Sequence, residues 1–188
     1  MQGNGSMGMQ AQRGMRWLVW GGAAVLLCLP LIAMQFTKEV NWTAFDFLVM
    51  GVMLLAVCLA FELALRVARS PWYLLGAAVA AGTAFLLTWA NLAVGVIGNE
   101  DNPVNLIFFG VVAVALVGAG LARLRPRGMA RAMAVTAAAQ AATVVLAFLL
   151  DEQPQVAIIL CVFTGMWLLS AWLFSQAATA SPAASPAH

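Results

Sequence analysis

Several polar side chains interrupt otherwise apolar runs, and their types limit the chemistry this chain could perform. Asp46 stands about one turn inside a long apolar segment, just after Val-Asn-Trp-Thr-Ala-Phe. A carboxylate there could ligate a cation or exchange a proton, because charged groups within a span turn toward protein or water rather than lipid. The plainer reading is favoured: an anion in a helix's first turn meets the positive end of the helix dipole. Glu62 lies near the other end of the same segment, with Arg66 four residues on. Glu followed by Arg at that spacing favours an ion pair on one helix face. If Glu62 faces a cavity instead, it is the best proton carrier in the chain.

The densest polar chemistry lies between Thr88 and Gly110, in TWANLAVGVIGNEDNPVNLIFFG. Asn91 falls within an apolar run, roughly two turns from its polar end, where lipid supplies no hydrogen-bond partner. Its amide serves either as interhelical glue, worth roughly 0.6–2 kcal/mol, or as part of a ligand site. The second reading groups Asn91 with Trp42, Asp46, Trp89, Glu100, Asp101 and Asn105 around a pocket on the acidic side. Aromatic walls with a few convergent polar groups suit a small solute. Thr136, Gln140 and Thr143 form a further polar stripe, and Glu62 with Gln140 would continue a proton or ion path inward. Hydrogen bonding between helices explains that stripe equally well.

Other chemistries lack their parts. The histidine is His188, in the Ala/Ser/Pro-rich tail, and the lysine is Lys38, between apolar runs. The spans therefore offer no imidazole for haem or zinc and no lysine for a Schiff base. Cys28, Cys58 and Cys161 each sit alone in an apolar run, as packing thiols do. We expect no cofactor, no metal site, no nucleophile–base pair and hence no enzyme.

These residues must be positioned by membrane helices. The chain has 188 residues, 64% of them hydrophobic and only 9% charged, against about 25% charged in a soluble domain. With a net charge of +2 and arginines confined to short connections, nucleic acid is not an expected partner. Six apolar runs approach the roughly 20 residues needed to span a bilayer: 17–36, 43–65, 72–97, 104–122, 129–150 and 156–174. The expected fold is an all-α polytopic transmembrane helix bundle. Residues 1–14 and 175–188 are expected to be disordered tails, and residues 15–174 form the membrane domain. The first run resembles a signal peptide in its flanking Arg13 and Arg16, but no small-x-small cleavage site follows, and a first span with a Pro30 bend is favoured.

Arg13, Arg16, Arg66, Arg69, Arg123, Arg125, Arg127 and Arg131 all fall on one side of this six-span arrangement. Glu39, Glu100, Asp101, Asp151 and Glu152 fall on the other. The positive-inside rule then places both termini in the cytoplasm. Ala130, Ala134, Ala138 and Ala142, like Gly76, Ala78, Ala80 and Gly82, offer small-residue surfaces for close helix packing. Glu-Asp-Asn-Pro at 100–103 and Asp-Glu-Gln-Pro at 151–154 are alike. They hint at duplicated hairpins, though amide- or acid-before-proline is simply a good helix start.

The runs EVNWTAFDF and NLAVGVIGNEDNPVN resemble those of small bacterial polytopic inner-membrane proteins of uncharacterised role, with an NLAVGxIGxEDNPxN-like stretch. The resemblance implies a bacterial inner membrane, with the acidic loops in the periplasm, and brings no activity with it. The expected role is a non-catalytic accessory or scaffold subunit of a membrane complex. Its partners would be lipids and other membrane subunits, or further copies of itself. The alternative is a small-solute or ion transporter or channel with a polar site near Asp46 and Asn91.

Overall fold

Proline opens four of the helical elements. Pro71, Pro103, Pro126 and Pro154 each occupy the first position, where the missing N–H costs no hydrogen bond. In the computed structural model, which describes residues 3–99, 101–150 and 153–180, the helices are α1 (Gly3–Phe36), α2 (Ala44–Val67), α3 (Pro71–Ala93), α4 (Leu106–Leu121), α5 (Pro126–Leu149) and α6 (Pro154–Ala180). A short 3₁₀ turn, Pro103–Asn105, leads into α4. Among the described residues these six helices are long and apolar enough to cross a membrane. The protein is all-α and a multi-pass membrane protein.

Helix boundaries depart from the sequence reading where local chemistry intervenes. α1 begins at Gly3, within the lead-in expected to be disordered, and contains Pro30. α3 stops at Ala93 rather than 97, because Gly95 takes the left-handed conformation, φ 68°. α6 continues past 174 to Ala180, on good helix formers and with Ala177 buried.

The chain divides into two compact units, Met1–Arg66 and Val67–His188. In the first, α1 is exposed along its span, and α2 carries a buried stripe of Met50, Leu54, Cys58 and Leu65 at helical spacing. In the second, α6 packs against both α3 and α5, and α4 packs against α5. Its core contains Leu87, Ile97, Phe108, Val111, Ala147, Leu160 and Phe163. α4 and α5 approach so closely that a Cβ on Gly118 would lie 2.8 Å from Ala132 Cβ. At Gly76 a Cβ would press on the Phe174 ring at 3.2 Å.

One packing expectation is reversed. Ala134, Ala138 and Ala142 face outward and Ala130 is only half-buried, while Thr136, Gln140 and Thr143 lie inside. Hydroxyls and amides cannot be left to lipid, so the polar stripe takes the interior and the alanine ridge turns out. Nor do all the cysteines pack: Cys58 is buried, but Cys28 and Cys161 are exposed.

Candidate functional site

Polar side chains inside the second unit gather in two places, the connection from α3 to α4 and the buried faces of α3, α5 and α6. At the connection the chain leaves α3 at Val94, turns through Gly95 and Gly98 (φ 71°), and drops Ile97 into the core, fully buried. A buried loop needs partners for its backbone groups. Asn105 supplies them. Its Oδ1 accepts from Ile97 N–H at 2.9 Å, and its Nδ2 donates to Ile97 C=O at 3.1 Å and Asn99 C=O at 2.6 Å. The amide thus pairs with Ile97 as another peptide group would. Asn91, also buried, donates from Nδ2 to the Asn105 carbonyl at 3.1 Å. Asn102 caps the 3₁₀ turn by accepting from Val104 N–H at 3.0 Å.

On the buried helix faces most hydroxyls bond within their own helix. Thr83 donates to Val79 C=O, Thr136 to Ala132 C=O and Thr143 to Gln140 C=O, at 2.6, 2.9 and 2.6 Å. Gln140 Nε2 donates to Thr143 Oγ1 at 3.2 Å. Two bonds cross between elements: Ser170 Oγ donates to Gly76 C=O at 2.9 Å, and the Tyr73 hydroxyl donates to Leu124 C=O at 2.8 Å. Three buried atoms have no protein partner among the described residues: Asn91 Oδ1, Gln140 Oε1 and Trp167 Nε1. Such orphans are costly in an apolar interior. They mark where a polar ligand or water would be stabilised.

Of the residues singled out from the sequence, Asn91 and Asn105 are brought together. Trp89 is not, since it points outward from α3 and is exposed. Asp101 is exposed on the loop, its N–H donating to Asn99 Oδ1 at 3.1 Å. Glu100 lies outside the described residues. In the first unit, Trp42 packs edge-on against Phe47, ring centroids 5.2 Å apart. Asp46 closes a reciprocal capping box: Oδ2 accepts from Thr43 N–H at 2.7 Å and Thr43 Oγ1 at 2.8 Å, while Asp46 N–H donates back to Thr43 Oγ1 at 3.3 Å.

Glu62 is also engaged, but not with Arg66. Its Oε1 lies 3.0 Å from Arg16 Nε of α1, and Arg66 is exposed. Among the described residues no group of three or more His, Cys, Asp or Glu could hold a metal. Sequence reasoning passed over Trp167, Ser170 and Tyr73. The signal was available, since Tyr73 is the lone tyrosine of the chain and Phe163, Trp167, Ser170 and Phe174 recur at helical spacing.

Comparison of the chain with protein-family models, with curated proteins and with solved structures returned no match.

Proposed function

We propose that this multi-pass protein is a non-catalytic accessory or scaffold subunit of a complex in the bacterial inner membrane, with its acidic loops in the periplasm. One observation carries the reading. Both carboxylates within the apolar spans have partners in the protein, Asp46 in its capping box and Glu62 with Arg16. Proton or cation transfer would need such groups turned to a water-filled path. Here they stabilise a helix start and join two helices instead. The self-bonded hydroxyls of α3 and α5 agree with that reading, because they leave little free hydrogen-bonding capacity.

The test is extraction of the tagged protein from its native membrane in mild detergent, followed by the intact mass of the assembly. A defined stoichiometric membrane partner supports the subunit reading. A lone monomer or homo-oligomer overturns it.

The orphaned Asn91, Gln140 and Trp167 atoms favour a second reading, a carrier or channel for a small polar solute. It requires solute-dependent stabilisation of the purified protein that is lost in Asn91→Leu and Gln140→Leu.

A further inference from the structure

α4 turns one face to the core and another to the surroundings, and the outer face is grooved. Gly110, Ala113, Val114, Val117, Gly118 and Leu121 follow at steps of three and four along α4 and form one wall of a cleft of about 580 Å³. Gly128, Arg131, Ala132 and Val135 of α5 form the other. Apart from Arg131 every lining residue is apolar. From Gly110 to Leu121 a helix rises roughly 16 Å, about half of a hydrocarbon core roughly 30 Å thick. The groove therefore has the length of one acyl chain in one leaflet.

Its charge is as uneven as its shape. Arg131 lies in the half of the groove nearer the α4–α5 turn, beside Ala132, which meets Gly118, and that turn adds Arg123, Arg125 and Arg127. None of these four arginines has a carboxylate partner among the described residues. Asp101 lies beyond the opposite end of α4. A second copy of the chain is a poor occupant. Membrane insertion would hold the two copies parallel and bring their arginine-rich turns together.

We infer that the groove between α4 and α5 holds one anionic glycerophospholipid, with an acyl chain along Gly110–Leu121 and the phosphate at Arg131. The apolar walls take the chain, and the arginine cluster discriminates among headgroups. Open space at Gly110, where an added Cβ meets nothing within 4 Å, admits the chain toward mid-membrane. Close contact at Gly118 closes the groove floor against Ala132.

The test is native mass spectrometry of the delipidated full-length protein titrated with phosphatidylglycerol or phosphatidylcholine of identical acyl chains. Retention of one phosphatidylglycerol per protein, over phosphatidylcholine, is expected. Arg131→Gln should weaken it about fivefold, as expected for one basic residue near an anionic lipid surface, and Arg131→Lys should largely restore it. Ala113→Phe, on an exposed position of the groove wall, should weaken retention of both lipids by blocking the acyl chain. Equal retention of the two lipids overturns the inference. So does retention unaffected by Arg131→Gln and Ala113→Phe, full competition by inorganic phosphate, or a lipid-free dimer that persists at every lipid ratio.

Discussion

The two ends of the α3–α6 unit close their connections by opposite means. At the amide end, between α3 and α4, the chain folds inward and is held by side-chain amides that replace backbone partners. At the arginine end, between α4 and α5, the turn is made almost entirely by backbone. Arg123 N–H donates to Gly120 C=O at 3.0 Å, and Leu124 N–H donates to Ala119 C=O at 3.4 Å. This is the bonding pattern of a Schellman cap. Arg123 and Leu124 take left-handed conformations, φ 49° and 57°, and Arg123 holds the C′ position where glycine is usual. One end uses glycines for its backbone and polar side chains to bind the loop. The other accepts backbone strain and leaves its arginines without a carboxylate partner among the described residues. The lesson is that inward-facing polarity here stabilises the fold, and outward-facing charge is available to something else.

The largest expected effect breaks the amide end. Asn105→Leu leaves Ile97 N–H and the carbonyls of Ile97 and Asn99 without their present partners. At about 1–3 kcal/mol per unsatisfied buried group, less what the loop recovers by opening to water, the loss should total roughly 2–5 kcal/mol. Thermal unfolding in detergent would measure it, and hydrogen exchange at Ile97 should change from slow to fast. Unchanged protection of that amide would refute the tie.

Next comes the close contact beside the arginine end. Gly118→Ala places a methyl 2.8 Å from Ala132 Cβ, so α4 must shift from α5. A cost of about 1–3 kcal/mol is expected for such overpacking. Gly110→Ala, which meets open space, should cost little by the same assay. Equal effects would mean that helix propensity and not contact decides both. Arg123→Gly sharpens the comparison in the other direction. Releasing an arginine from the left-handed region, less glycine's extra entropy cost in the unfolded chain, should stabilise the protein by up to about 1 kcal/mol. A drop in melting temperature would instead assign the Arg123 side chain a structural contact.

The sequence makes some of this legible. Apolar length finds all six spans, though Pro71, Pro126 and Pro154 open α3, α5 and α6 shortly before the apolar runs at 72, 129 and 156. Asp46 is marked as a first-turn anion, and its capping box with Thr43 emerges only in the structure. Asn91 and Gln140 are marked as interior because an amide in an apolar run has nowhere else to go. The inner and outer faces of α5 are harder to read. Alanines line one side and alanines with hydroxyls the other, and in lipid hydrophobicity does not distinguish core from surface. The reversal of the alanine ridge follows from that ambiguity. Glu62 misleads for another reason. Its local partner at i+4 competes with Arg16, which is distant in sequence, and only tertiary placement decides between them. The inward fold of the α3–α4 loop depends on two glycines in left-handed conformations, a choice that composition permits but does not dictate.

The smallest expected effect separates structure from function at the amide end. Among the described residues the Asn91 side chain makes one hydrogen bond to protein, to the Asn105 carbonyl, and leaves Oδ1 buried without a partner. Replacing it by leucine removes a bond worth roughly 0.6 kcal/mol in membrane interiors. It also removes an orphaned oxygen whose burial carries a cost of its own. The two terms oppose, so Asn91→Leu should unfold within about 1 kcal/mol of the parent. Near-neutral stability makes the variant informative, because any loss of solute-dependent stabilisation could not then be blamed on unfolding. If stability falls by several times that amount, the Asn91 oxygen is partnered in the membrane, and water held against it becomes the first ligand to locate.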